Sequence, residues 1–230
     1  EVHHLLGVIA FKERKPDQAI ESFIHALKLK PAYPEALNDL AEIYLIQGKS
    51  AQAEQALKRA IEIDQKHADS FFDLARLYEQ RRDVAAATRT YRSLLAAHPS
   101  HRGALYNLAL LYEAQGDNRG AQETVSRLLK LDPKHADGWY LAGRIAEKNN
   151  DLVEAAHAYR QAIVVKPALV DAHYNLAFIY RSQGKPVEAE REYRWTLRTE
   201  AWTESTMQLL SVEVTFPVQG QDYTVPLSTL

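Results

Sequence analysis

Three histidines, His67, His101 and His135, follow one another at intervals of 34 residues, and imidazole is a common metal ligand. A metal ion needs three or four donors converging on one point, which a ladder with one donor per repeat cannot supply. Each of the three directly precedes a helical pattern, so a capping or solvated imidazole is expected and no metal site. Two other sets could do chemistry of a binding kind. Asp39, Glu42 and Asp73 stand against one nearby cation, Arg76, and would favour a partner segment carrying lysine or arginine. Phe72, Tyr106, Tyr140 and Tyr174, again one repeat apart, offer flat contacts of low entropy cost. Catalysis has no comparable starting point. The nine glycines are scattered, no Gly-rich phosphate loop, nucleophile elbow or metalloprotease helix motif occurs, and there is no cysteine. No catalytic residue and no cofactor are expected, and the chain reads as a protein other than an enzyme.

The charge balance narrows the partner. A formal net charge of -2 on 230 residues provides none of the positive field that neutralising a row of phosphates requires, so nucleic acid is not the expected ligand. No apolar run approaches the roughly 20 residues that span a bilayer. The expectation is a soluble protein without membrane insertion, of the cytoplasm or a bacterial periplasm. The opening Glu1-Val2-His3-His4 lacks both an initiating methionine and a signal-peptide pattern, and reads as a cut end.

The elements that position these residues follow from a period of 34 that never slips: Pro99, Pro133 and Pro167 coincide at that shift, and Pro31 joins them two repeats earlier. Six units result, 1 to 33 (lacking its first place), 34 to 67, 68 to 101, 102 to 135, 136 to 169 and 170 to 203. Places 4, 7, 8 and 11 of a unit carry mainly apolar or small residues, as in Leu37, Leu40, Ala41 and Tyr44, and places 20, 24, 27 and 28 do so again, as in Ala53, Leu57, Ala60 and Ile61. Both spacings are helical, so each unit predicts two helices with facing apolar stripes. Place 20 is alanine in all six units and place 8 is glycine or alanine, which lets the paired helices approach closely. Place 15 is Gly48, Gly116, Gly184 or Asn150, residues suited to a left-handed helix end, whereas Arg14 and Arg82 depart from the pattern. Pro16 and Pro186 fit the first turn of the second helix.

The pattern of Leu105, Leu108-Ala109, Tyr112, Gly116, Ala121 and Pro133, and of Trp139, Gly143, Ala155, Tyr159 and Pro167, resembles the tetratricopeptide repeat over residues 1 to 203. The resemblance implies an all-α, right-handed solenoid of six helix-turn-helix repeats, the first helix of each lining a concave groove that binds another polypeptide. Two ligand modes known in the family can be compared with these residues. A clamp for a C-terminal carboxylate uses lysine, asparagine and arginine at places 2, 5, 6 and 9. Here place 2 holds no lysine and place 5 is mostly aromatic, so that clamp is absent. An asparagine ladder at place 6, as in the repeat arm of O-linked N-acetylglucosamine transferases, is matched by Asn107 and Asn175, partly by Asp39 and Asp73, and interrupted by Leu5 and Leu141.

At 100° per residue, places 2, 6, 9 and 13 lie opposite the buried stripe and should line the groove. With the aromatic row at place 5 added, the expected binding wall comprises Asp39, Glu42, Asp73 and Arg76, then Tyr106, Asn107 and Leu110, then Tyr140, Arg144, Tyr174, Asn175 and Phe178, turning from acidic to apolar. Acids at place 2 sit in a first helical turn and are discounted as dipole partners, whereas Asp39, Glu42 and Asp73 lack that explanation. Residues 204 to about 212 continue the register as a capping helix, and the tail beyond alternates like a strand, interrupted by a turn at 219 to 222, with Pro217 and Pro226 confining it to an edge. The expectation is a scaffold with a domain of six repeats, 1 to 203, followed by a cap and extended tail, 204 to 230, that holds a partner segment. Two alternatives are the substrate-recognition arm of a larger enzyme such as a glycosyltransferase, and a scaffold that self-associates through its C-terminal tail.

Overall fold

The computed structural model describes residues 1–203, 213–218 and 221–226, with side chains through residue 194. Twelve helices occur among them. They are α1 Val2–Lys12, α2 Pro16–Leu29, α3 Pro34–Ile46, α4 Ser50–Ile63, α5 Ala68–Gln80, α6 Val84–Ala97, α7 Arg102–Gln115, α8 Asn118–Leu131, α9 Ala136–Lys148, α10 Leu152–Val165, α11 Val170–Ser182 and α12 Pro186–Thr203. Every repeat read from the sequence thus contributes two helices. The chain forms two compact units, Glu1–Gln115 and Gly116–Leu230. In the first, α1 packs on α2, α3 on α4 and α5 on α6, and each second helix also packs on the first helix that follows it. The second unit repeats this arrangement through α9 with α10, α10 with α11 and α11 with α12.

The alanines at place 20 show why the pairs sit so close. Ala19, Ala53, Ala87, Ala121 and Ala155 are all fully buried, and Ala189 nearly so. In the core around α4, Ala53, Ala56, Leu57 and Ala60 meet Leu37 and Ala41 from α3 and Leu74 and Leu77 from α5. The second unit packs Ala155, Ala156, Tyr159 and Ala162 against Ala172, Leu176 and Ile179 in the same way. At Gly143 the approach is closest, since a Cβ there would stand 2.5 Å from the Tyr159 ring.

The helix ends are settled by local chemistry. His67, His101 and His135 are N-caps: their Nδ1 atoms accept the backbone N–H of Ser70 (3.3 Å), Ala104 (3.0 Å) and Gly138 (2.9 Å). The ladder of histidines is a ladder of caps. Asp83, Asp117 and Asp151 cap the second helices of the same three repeats, accepting from Ala86, Gly120 and Glu154 at 2.9 to 3.0 Å. Place 15 has positive φ in all six repeats: 72° at Gly48, 77° at Gly116 and 70° at Gly184, but also 60° at Arg14, 59° at Arg82 and 59° at Asn150. The two arginines depart from the pattern in residue type and keep its conformation. A 6→1 bond follows each of them, Lys15 N–H to the Ala10 carbonyl and Asp83 N–H to the Tyr78 carbonyl, both 2.9 Å, which is the closure of a Schellman motif.

In the tail, β1 Glu213–Val218 and β2 Gln221–Pro226 pair antiparallel, Phe216 opposite Tyr223 and Pro217 opposite Asp222. Both are edge strands of a two-stranded sheet, consistent with the two prolines. β2 begins at Gln221, inside the segment expected to turn. The expected capping helix, 204 to 212, lies outside the described residues.

Candidate peptide-binding surface

In the first unit the wall under test is made by α1, α3, α5 and α7, and its polar residues are tied together by one rule: place 5 of a repeat meets place 6 of the next. His4 Nε2 lies 2.7 Å from Asp39 Oδ2, and Tyr33 OH is 3.0 Å from the other ring nitrogen. One repeat on, Asn38 Nδ2 donates to Asp73 Oδ2 at 3.2 Å, while Asn38 Oδ1 accepts from Ser70 Oγ at 2.9 Å. Asp39 and Asp73, which the sequence left without a structural explanation, therefore join adjacent repeats. Glu42 is exposed on the same wall.

Electrostatically the acids crowd one another. Partial burial, then Asp73 and Asp39, push the Glu42 carboxyl above its ordinary value, and Arg76 only partly offsets this. Burial also raises Asp73, with Asp69 and Asp39 adding to it against the Asn38 bond and Arg76. Arg76 is 3.8 Å from Asp73 and also lies over the Phe72 ring, 5.9 Å from its centroid, so one guanidinium opposes the charge of both Glu42 and Asp73. The wall thus carries a charge surplus that a cation from outside would relieve.

Where place 5 is Phe72, it cannot bond Asn107, and a different network takes over. Asn107 Nδ2 donates to Tyr91 OH at 2.7 Å, and that hydroxyl donates to Glu79 Oε2 at 2.7 Å. The same three residue types recur 68 residues later: Asn175 Nδ2 donates to Tyr159 OH at 3.2 Å, and Tyr159 OH donates to Glu147. Burial, reinforced by the glutamate beside each, holds both phenols far above the usual tyrosine range. With its amide nitrogen anchored on a buried hydroxyl, each asparagine is held in one orientation, leaving the carbonyl oxygen directed away from that bond.

Three members of the aromatic row rest on a tyrosine of their own repeat. Phe72 stacks on Tyr91, Tyr140 on Tyr159 and Tyr174 on Tyr193, with centroids 5.7 to 6.0 Å apart, so place 5 rests on place 24 of its own repeat. Tyr174 nevertheless keeps 56% of its surface exposed and Phe178, one turn on, keeps 47%. Arg181 lies over the Phe178 ring at 5.3 Å. Tyr106 and Leu110 are half-buried on α7.

In the second unit Tyr140, Arg144 and Asn175 come together, with Glu147 and Lys148, around an open depression of about 370 Å³. Asn175 reaches Tyr140 OH at 3.5 Å, and Arg144 lies 5.9 Å over the Tyr140 ring. Leu141, expected to interrupt the ladder, is only 1% exposed and belongs to the core. Sequence reading missed the tyrosines and glutamates behind the asparagines. Comparison between repeats carries that signal: Glu at place 12, Tyr at place 24 and Asn at place 6 of the next repeat occur together at 79, 91 and 107 and again at 147, 159 and 175, and nowhere else. Among the described residues no cluster of His, Asp or Glu could hold a metal, and no helix is long and apolar enough to cross a membrane.

Family models described as tetratricopeptide repeat match residues 10–74 and 44–100, and again 108–168 and 154–197. No curated protein matches the sequence. Among solved structures, the chain resembles PilW, a type IV pilus biogenesis factor, with a TM-score of 0.69 at 19% identity over 90% of this chain and 94% of that one. It also resembles YrrB, a repeat protein with an unusual peptide-binding site (TM-score 0.69, 16% identity, 79% and 94% covered). A tetratricopeptide repeat protein from Parabacteroides merdae gives a TM-score of 0.68 at 22% identity, with 87% and 77% covered. At these identities the likeness is one of fold, and together with two family models that jointly reach from residue 10 to residue 197 it places this chain in the tetratricopeptide repeat family.

Proposed function

We propose that the chain is a scaffold whose repeats, residues 1 to 203, hold an extended segment of a partner polypeptide against the first-helix faces, and that the segment carries lysine or arginine where it crosses α3 and α5. The family is in general a non-catalytic module for protein interaction. The observation that carries the finer reading is that Glu42 and Asp73 lie near each other and near Asp39 with Arg76 as their opposing cation: burial first, and the neighbouring carboxylates after it, raise the Glu42 and Asp73 carboxyls. A partner cation would bring both back toward their ordinary range and gain the corresponding attraction. Each unit also offers backbone hydrogen bonds, from Asn107 held by Tyr91 in the first and from Asn175 held by Tyr159 in the second, and the exposed faces of Tyr174 and Phe178 in the second offer apolar contact. YrrB, with its peptide-binding site, provides a precedent within the same fold.

The test isolates Glu42, because lysine at Asp39 or Asp73 would also break the bonds to His4 and Asn38. Fluorescent peptides of matched length, one rich in lysine and one rich in glutamate, are titrated into the parent, Glu42→Lys and Glu62→Lys, the last an exposed position on α4. The basic peptide should bind the parent better, and Glu42→Lys should weaken it about 3- to 10-fold at low ionic strength, the range expected for reversing one partly exposed charge. Glu62→Lys should change little. Equal binding of both peptides, or equal affinity in all three proteins, would refute the acidic wall.

A further inference from the structure

The two copies of the Glu–Tyr–Asn network share one frame and differ in the charge set upon it. Place for place, Phe72 of the third repeat becomes Tyr140 in the fifth, Asp73 becomes Leu141, Arg76 becomes Arg144 and Gln80 becomes Lys148. With the glutamate of each network included, the third repeat sets Asp73 and Glu79 against Arg76, one negative charge in excess. The fifth sets Glu147 against Arg144 and Lys148, one positive charge in excess. Asp73 stands 3.8 Å from Arg76, whereas Leu141 at the same place is 1% exposed and lies in the core.

Tyr140, Arg144 and Lys148 line the depression of about 370 Å³ together with Glu147 and Asn175. Their donors are of three kinds. The Tyr140 oxygen accepts from Asn175 Nδ2 at 3.5 Å, and because an amide NH₂ cannot accept in return, the phenol hydrogen serves another acceptor. Burial, with Asp171 adding to it against Arg144, raises this phenol above its ordinary value, so it remains a donor at neutral pH. Arg144 supplies a planar fork that matches a carboxylate, and Lys148, one turn on and exposed, supplies a point charge. Lys148 also suits the negative end of α9, yet the fold needs no cation there, since place 13 is Gln80, Ala114 and Ser182 in other repeats. Glu147 accepts from the Tyr159 hydroxyl.

We propose that this depression takes an aspartate or glutamate side chain of the bound segment, its carboxylate held by Arg144 and Lys148 with the Tyr140 hydroxyl as a third donor. A chain terminus is a poorer fit: place 2, where a C-terminal clamp uses lysine, is Asp137 in the fifth repeat and Asp171 in the sixth. Place 13, where Lys148 stands, is no part of that clamp. The inference rests on the reading of the chain as a scaffold for a peptide segment, and it stands without the acidic residues of α3 and α5.

The probes are labelled peptides of serine, asparagine and leucine, blocked at both ends, that differ only in one central residue, glutamate or glutamine. They are titrated into the intact protein at low ionic strength and followed by fluorescence anisotropy. The glutamate peptide should bind about 3- to 10-fold more tightly, the range for one partly exposed charge. That preference should be lost in Arg144→Gln and in Lys148→Gln, reduced in Tyr140→Phe, and kept in Glu42→Lys. In the parent, the Arg144 Nε–H resonance should shift on adding the glutamate peptide and not the glutamine peptide. Lys148 is exposed and Arg144 half-buried, and Tyr140→Phe keeps the ring on Tyr159, so circular dichroism and melting temperature should report folded variants. Binding without a glutamate preference, or a preference that survives both Arg144→Gln and Lys148→Gln, overturns the inference alone. So does a preference that requires an unblocked C-terminus on the peptide. Failure of every peptide, basic ones included, to bind at millimolar concentration refutes the scaffold reading and this inference with it.

Discussion

Tyr159→Phe removes one oxygen atom from a fully buried ring and with it both bonds of the network behind Asn175. The two losses are unequal. The bond to the Glu147 carboxylate is charge-assisted, worth about 1.5 to 3 kcal/mol, whereas the Asn175 amide bond is neutral, worth about 0.5 to 1.5 kcal/mol. Glu147 and Asn175 are both partly exposed and regain water in the variant, so the net cost should be about 1 to 3 kcal/mol, below the sum. For a chain of this length that corresponds to a fall of roughly 2 to 12 °C in melting temperature. The assay is urea unfolding of Tyr159→Phe, Asn175→Ala and the double variant, analysed as a cycle, with hydrogen exchange locating the change in α9 to α11. A coupling of about 0.5 to 1.5 kcal/mol between the two positions is expected. Tyr91→Phe with Asn107→Ala repeats the measurement on the second copy of the network. Stability within 0.5 kcal/mol of the parent, the range typical of surface substitutions, together with zero coupling in both copies, would refute the argument that these tyrosines anchor the asparagines.

Two further outcomes follow from helix ends and ion pairs. Arg82→Gly, and Arg14→Gly likewise, should stabilise by about 0.5 to 1 kcal/mol, because the left-handed conformation costs an ordinary residue ~1 to 2 kcal/mol and glycine returns part of that gain as unfolded-state entropy. Destabilisation in urea would show that the arginine side chains contribute more than their backbones cost. Glu54, bonded by Lys58, Arg81 and Tyr78, has its carboxyl lowered from 4.5 to about 2. A lowered carboxyl contributes stability that is present above its unfolded value and lost as pH falls through the folded one, so Glu54→Gln should flatten the stability profile between about pH 4.5 and 2. Glu42 and Asp73, raised instead, act in the opposite sense, contributing stability at low pH that is lost as pH rises through their folded values. The comparison is therefore the difference between parent and variant curves, and an unchanged difference across that window would refute the assigned role of Glu54.

Which parts of this molecule could be read in advance depended on how far apart the causes lie in the chain. The stripes of Leu37, Leu40 and Ala41, or of Ala53, Leu57 and Ala60, declare helices within a single repeat, and repetition at 34 residues makes the signal unambiguous. The His67, His101 and His135 caps were legible for the same reason, since a cap bonds three residues ahead. The bonds from His4 to Asp39 and from Asn38 to Asp73 span 35 residues, and only the packing of successive first helices brings their ends together. That is why Asp39 and Asp73 looked like unexplained acids. Arg14 and Arg82 illustrate the converse, a conformation imposed by the helix junction on residues that do not favour it. The Glu and Tyr of the third and fifth repeats, with the Asn of the repeat that follows each, lie between these extremes: no single repeat reveals them, yet their joint recurrence within one chain does. A polar residue at a groove place is thus not by itself a binding residue. The groups at places 5 and 24 of the preceding repeat decide how it joins repeats: Asp39 and Asp73 do so through their carboxylates, whereas Asn107 and Asn175 do so through their amide nitrogens, which leaves their carbonyl oxygens for the proposed partner.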